Sequence, residues 1–130
     1  MFALQLAHAA AALIQGLARA MFKIIPAPTF TCRVSLSRPD ADDPVEIDVT
    51  WRHKNRTELA AWRHASAKFE SDEEWLGEVI AGWGRVVNED GTPLPYSREA
   101  LGVLLQSFPS AALELLNAYG RRLADARAKN

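Results

Sequence analysis

Residues 29–52 read TFTCRVSLSRPDADDPVEIDVTWR, and this stretch decides the fold. Apolar and polar residues alternate on both sides of the turn-rich segment SRPDADDP, which is the pattern of two half-buried strands. The stretch therefore predicts an antiparallel β-hairpin. A lone hairpin is marginally stable in water, so its apolar face must pack against other elements.

The chain that follows the hairpin is predicted to be helical. Thr57 can cap a first helix, while Ser71 with Glu74 three residues later forms the capping-box pattern of a second helix. We expect this second helix to continue through Trp83 and to end at the glycines on either side of that residue.

Two further helices follow the loop NEDGTPLP. Ser97 caps the first of them, Pro109 ends or kinks it, and the last helix begins near Ser110. The predicted fold class is α+β and mostly helical, with one antiparallel β-hairpin packed against about four helices. The residues expected to form the core lie on the apolar faces of these elements: Trp51, Trp62, Trp75, Val79, Trp83, Leu104, Leu116 and Tyr119.

Residues 1–20, MFALQLAHAAAALIQGLARA, need a separate explanation. They are rich in helix-forming alanine and leucine, but His8, Gln15 and Arg19 interrupt the apolar run, which argues against a membrane span. Three alternatives stay open: an extension upstream of a true start at Met21, an extra amphipathic helix docked on the domain, or a signal peptide without the usual basic residue before its apolar run. We expect the domain itself to be residues 21–130.

Charge and cysteine content exclude several classes of protein. Fifteen Lys and Arg against sixteen Asp and Glu give a formal net charge of −1, which argues against a protein built to coat nucleic acid. The single cysteine, Cys32, cannot form an internal disulfide, so a reduced cytoplasmic setting is the natural interpretation.

No pattern of catalytic or ligand-binding residues emerges from the sequence. His8, His53 and His64 lie in separate segments without metal-ligand spacing. The acidic loop between the two strands lacks the glycine and the terminal glutamate of a calcium loop, and the GWG element lacks the strand and the third glycine of a dinucleotide fingerprint. We therefore expect no enzymatic activity, no cofactor and no metal site.

Five short motifs follow one another along residues 21–130. A P-T-F strand entry, an I-x-G-W element, an F/Y-S-x-E-x-L helix start, a Y/F-P-x-A break and a terminal A-R-x-K-N occur at Pro28–Phe30, Ile80–Trp83, Tyr96–Leu101, Phe108–Ala111 and Ala126–Asn130. In this order and spacing they resemble the tail assembly chaperones of long-tailed bacteriophages and prophages. The resemblance leaves out residues 1–20, which supports Met21 as the start.

The resemblance implies a non-enzymatic helper of tail assembly. Proteins of that family are thought to coat the tape measure protein in the host cytoplasm, to bring tail tube subunits to it and to leave before the tail is complete. The implied partners are thus the tape measure protein and the tail tube protein, with neither nucleic acid nor a membrane involved. No place in the finished virion is expected, while self-association and a product extended by frameshifting stay open.

Two other interpretations also stay open. One is a small cytoplasmic interaction adaptor of another kind, such as an antitoxin-like protein, and the other is nucleic-acid binding through the basic clusters around Arg52 or Arg121.

In the tail-assembly interpretation the contact surface is the last helix pair. The residues expected to face the partner are Leu94, Tyr96, Phe108 and Leu115, and Trp83 is an alternative contact if it is not in the core.

Overall fold

The computed structural model describes residues 21–124. Its elements are β1 (Thr29–Leu36), β2 (Val45–Arg52), α1 (Arg56–His64), a short 3-10 helix (Ala65–Lys68), α2 (Asp72–Gly77), β3 (Ile80–Gly84), α3 (Arg98–Ser107) and α4 (Ala111–Ala124). The three-stranded antiparallel sheet and the four α-helices in this part of the chain confirm the predicted α+β class. The helix considered for residues 1–20 lies outside the described residues.

The predicted hairpin is confirmed. β1 and β2 pair over their whole lengths, from Thr29 opposite Arg52 to Leu36 opposite Val45. The period-two alternation turns one face of the pair toward the helices, and the residues buried on that face are Cys32, Val34, Leu36, Ile47, Val49 and Trp51.

The opposite face of the hairpin is polar. Arg33 of β1 reaches across to two carboxylates of β2, at 2.9 Å from Asp48 and 3.2 Å from Glu46. Beside them the hydroxyls of Thr31 and Thr50 are 2.8 Å apart. Exposed ion pairs of this kind contribute at most about 1 kcal/mol, so the hairpin depends mainly on its buried face.

The prediction that the second helix runs through Trp83 is wrong. Helix α2 ends at Gly77, and the following residues form β3, which pairs with β2 in the strand order β1-β2-β3. Glycine and β-branched residues disfavour a helix here, whereas the open edge of β2 offers hydrogen bonds, such as the one from the Arg52 N–H to the Val79 carbonyl at 2.7 Å. Trp83 pairs with Val49 and therefore lies on the helix-facing side of the sheet.

Helix starts follow local capping chemistry. Thr57 is not the cap of α1, because Asn55 and Glu58 form a capping box in which each side chain accepts a backbone N–H of the other, at 2.8 and 3.0 Å. Ser71 and Ser97 cap α2 and α3 as predicted, and each hydroxyl accepts the N–H of the third helical residue.

The core lies between the sheet and the helices. Of the residues expected there, Trp51, Val79 and Tyr119 have no exposed surface, and Trp62 is 5% exposed. The other four are half-buried and pack against the edge of the core: Trp75, Trp83, Leu104 and Leu116.

Candidate functional site

Helix α4 is anchored to the sheet by Tyr119. The hydroxyl of Tyr119 donates to the Arg52 carbonyl at 2.6 Å, and its ring stacks on Trp51 at 4.7 Å and meets Trp62 edge-on at 5.5 Å. Burial raises the pKa of Tyr119 to about 12, and the carboxylate of Glu58 adds to this rise. These contacts set the rotation of α4 about its axis and thereby decide which of its residues face outward.

Glu114 makes a second anchor at the start of α4. Its carboxylate accepts the backbone N–H of Ser37 at 3.1 and 3.2 Å, the Ser37 hydroxyl at 2.5 Å and the Ser110 hydroxyl at 3.0 Å. Burial alone would raise the pKa of Glu114, but the hydrogen bonds from Ser37 and Ser110 favour the charged form and leave the pKa lowered.

Trp62 and Trp75 join α1 to α2 and hold one indole at the surface. Their rings stack at 4.3 Å with planes 14° apart. Each indole N–H donates to the backbone carbonyl of the other residue, at 3.0 Å from Trp62 and 2.9 Å from Trp75. Trp75 is therefore fixed on one side by Trp62, while its remaining surface lines a groove along α4.

This groove, called the α4 groove below, has an apolar floor. Leu116, Gly120 and Ala124 are spaced four residues apart and so lie on one stripe of α4. They line the groove, whose volume is about 640 Å³, together with Arg63, Trp75, Asn117 and Arg121. Gly120 has no side chain, and its surface is next to the Arg63 guanidinium.

The rim of the α4 groove is basic. The guanidinium of Arg63 lies above Gly120, with Nη2 2.7 Å from the position that a β-carbon would take. The salt bridges found among residues 21–124 both belong to Arg33, so no carboxylate in that range pairs with Arg63 or Arg121. The groove therefore suits an apolar element that carries acidic side chains at its edges.

Trp83 packs on the loop that precedes α3. Its indole N–H donates to the Leu94 carbonyl at 2.8 Å, and its ring meets Tyr96 edge-on at 5.1 Å. Burial raises the pKa of Tyr96. Leu94, Tyr96 and Phe108, all expected at a partner surface, are half-buried.

The expectation that Leu115 faces a partner does not agree with its burial. It is 1% exposed and belongs to the core, whereas the neighbouring Leu116 is half-buried and lines the α4 groove. Leu115 is four residues before Tyr119, so the rotation that buries Tyr119 also buries Leu115. Sequence reasoning missed the groove, although an isolated glycine inside a helix, Gly120, was a signal of a close approach.

The same part of the chain offers little for other kinds of chemistry. Between residues 21 and 124 no three His, Cys, Asp or Glu side chains are placed to hold a metal ion, and no helix there is long and apolar enough to cross a membrane. Cys32 is buried. Arg52, in one of the two basic clusters, donates to the Ile80 carbonyl at 2.9 Å and more weakly to those of Gly77 and Glu78, so it supports the connection between α2 and β3.

The chain matches a known protein family. A family model described as phage tail assembly chaperone matches residues 17–130. That range contains every element of the described fold and the whole α4 groove. No curated protein and no solved structure matches the chain.

Proposed function

Since the chain belongs to the phage tail assembly chaperone family and thus has a role in tail assembly, we propose that it binds and solubilises the tape measure protein and helps recruit tail tube subunits during tail morphogenesis. The observation that carries this proposal is the α4 groove, an apolar trough on a helix that is itself anchored at two points.

The shape of the groove supports a helical occupant. A long helical protein exposes apolar stripes along its length until other subunits enclose it, and such stripes cause aggregation. A groove that runs along the stripe of Leu116, Gly120 and Ala124 covers a helix through side chains at i, i+3 and i+4. The missing side chain at Gly120 makes room for the Arg63 guanidinium at the edge of the groove, and Trp75 supplies a rigid aromatic wall.

The charges of the rim support a particular kind of helix. Arg63 and Arg121 flank the apolar floor. We propose that the bound segment of the tape measure protein carries Asp or Glu beside its apolar stripe. Such pairs steer association and weaken with salt, which suits a chaperone that must later release its partner.

Three of the residues expected at a partner surface are still proposed to contact a partner. Leu94, Tyr96 and Phe108 keep part of their surface accessible, and we propose that they contact a tail protein outside the α4 groove. We further propose that the protein acts in the host cell cytoplasm before the tail is complete, is not part of the finished virion, and does not act as an enzyme.

Co-expression tests the proposal. The tape measure protein would be produced with this chain, alone, or with an unrelated small domain as the control, and its soluble fraction would be measured. We expect soluble tape measure protein that co-purifies with this chain and forms aggregates in the other two cases. Equal solubility in all three, without co-purification, would refute the chaperone proposal and favour an adaptor with other partners.

A further inference from the structure

The outer edge of β1 carries backbone groups without a partner among residues 21–124. The His53 N–H donates to the Pro28 carbonyl at 2.9 Å, which makes this a hydrogen-bonded pair in the register of β1 and β2. Hydrogen-bonded pairs alternate along an antiparallel ladder. The N–H and C=O groups of Thr29, Thr31, Arg33 and Ser35 consequently point away from β2.

The rest of the sheet agrees with this assignment. Residues of β2 opposite the outward-pointing residues of β1 must turn their own backbone groups toward β3, and the Arg52 N–H does so by donating to the Val79 carbonyl. No described strand lies beyond β1, since the sheet order is β1-β2-β3. Four residues with one donor and one acceptor each therefore leave eight groups available on this edge.

The open edge has a defined length. The Ser37 N–H also points outward, but the Glu114 carboxylate accepts it. At the other end β1 begins at Thr29, directly after Pro28, whose carbonyl points toward β2 and accepts the His53 N–H. The available stretch is thus Thr29–Ser35, enough for one short added strand.

A groove of about 600 Å³, called the β1 groove below, lies between this open edge and α4. Two of the arginines that line the β1 groove have no ion-pair partner among residues 21–124. Arg33 is already paired with Glu46 and Asp48, and Glu114 is held by serine hydrogen bonds. Arg121 and Arg122 also line the groove, and no carboxylate within residues 21–124 pairs with either of them.

We propose that the β1 edge binds an extended acidic segment of a partner protein, which adds a fourth strand to the sheet. The backbone groups of Thr29, Thr31, Arg33 and Ser35 supply the ladder. Arg121 and Arg122 form ion pairs with acidic side chains of the segment. A second copy of this chain is a poorer occupant, because pairing β1 with β1 would bring the two basic groove walls together. This site shares Asn117 and Arg121 with the α4 groove, but its backbone ladder lies on β1 and does not depend on the helix proposed to lie in the α4 groove.

A synthetic peptide tests the edge directly. The probe is a blocked octapeptide of alternating Glu and Thr, and the controls are the same peptide with Lys in place of Glu and a version with alternate backbone nitrogens methylated. Amide signals of the ¹⁵N-labelled full chain would be followed during titration. We expect shifts centred on Thr31, Arg33 and Ser35 with the Glu peptide, and much weaker ones with either control. No shifts, or shifts located elsewhere, would overturn the proposal.

A proline substitution tests peptide binding at the β1 edge without disturbing the pairing of β1 with β2. The Ser35 N–H points away from β2, so Ser35→Pro keeps the ladder to β2 while it removes one outward donor. We expect dispersed spectra like those of the unchanged chain but roughly tenfold weaker peptide binding, since a donor is lost and the proline ring crowds the edge. Ser35→Ala is the matched control and should bind as the unchanged chain does. Equal binding by both variants, or a dimer that only Ser35→Pro dissolves, would contradict an acidic peptide as the occupant.

Discussion

The indoles of Trp62 and Trp75 stack at 4.3 Å, and each donates a hydrogen bond to the backbone carbonyl of the other residue. The two residues belong to different helices, so this reciprocal pair fixes α1 against α2. It also explains how a large aromatic side chain can stay partly at the surface without being mobile. One face of Trp75 is used for stability, which leaves the rest of its surface for the α4 groove.

Substitutions in this pair should have unequal effects on stability. Trp62→Ala removes a buried aromatic ring and should lower the free energy of unfolding by roughly 3–5 kcal/mol. Trp75→Phe removes one hydrogen bond and part of the stacked ring surface of a half-buried residue, and should cost roughly 1–2 kcal/mol. Urea unfolding followed by circular dichroism measures both. Leu113→Ala, at a residue that is 61% exposed, is the control and should change little; a similar loss at residues 62 and 113 would contradict the packing described.

Gly120→Ala should stabilise the protein. Glycine inside a helix costs about 0.5–1 kcal/mol relative to alanine, and Gly120 lies in the interior of α4. The added β-carbon would meet only the end of the flexible Arg63 side chain, which can move away. A rise in the urea midpoint is expected. A clear fall would mean that the Arg63 guanidinium is held rigidly over Gly120.

Acid should weaken the contact between α4 and β1. The pKa of Glu114 in the folded chain is lowered from the ordinary value of 4.5, so its contribution to stability is present above that value and is lost as the pH falls through the folded pKa. Glu114→Gln should therefore be less stable than the unchanged chain at neutral pH, with the difference shrinking in acid. Unfolding free energies at several pH values measure this, with Glu89→Gln at an exposed loop residue as the control. A difference that does not vary with pH would show that the charge of Glu114 is unimportant.

Alkaline titration should show that Tyr119 ionises at a higher pH than an ordinary tyrosine. Burial raises the pKa of Tyr119 from 10.0 to about 12, so the stability it contributes is complete below pH 10 and is lost as the pH rises through the folded value. Tyrosinate absorbance in the folded chain should show a group that ionises near pH 12 or only on unfolding, and Tyr119→Phe should remove it. Ionisation of both tyrosines near pH 10 would contradict the buried hydroxyl.

Local patterns were sufficient for much of the fold. The alternation on each side of SRPDADDP predicted the hairpin, because every second side chain of a strand lies on the same face of the sheet. Ser71 and Ser97 were recognised as caps because their side chains bond within their own first turn. Strand β3 was missed because a short apolar run fits either a helix or a strand, and the open edge of β2, about 30 residues earlier in the chain, decided between them.

The candidate sites were harder to predict for a related reason. The α4 groove combines Arg63, Trp75 and Gly120, which come from three elements, so no local spacing joins them. One residue along a helix turns the side chain by about 100°, which is why Leu115 was expected at the surface although it is the neighbouring Leu116 that lines the groove. The open edge of β1 depends on which pairs are hydrogen-bonded, and alternation alone does not determine that.

The affinity of α4-groove variants for the tape measure protein tests the central claim most directly. The charge reversals Arg63→Glu and Arg121→Glu remove the basic rim, and Gly120→Leu fills the floor. Lys68→Glu, an exposed charge reversal at the end of the 3-10 helix and outside the groove lining, is the matched control.

With all variants shown to be folded, binding to a purified fragment of the tape measure protein would be measured at two salt concentrations. We expect a loss of roughly tenfold or more for each groove variant, unchanged binding for Lys68→Glu, and a weaker salt dependence for the charge reversals. Unchanged affinity in all three groove variants would contradict the α4 groove as the binding site.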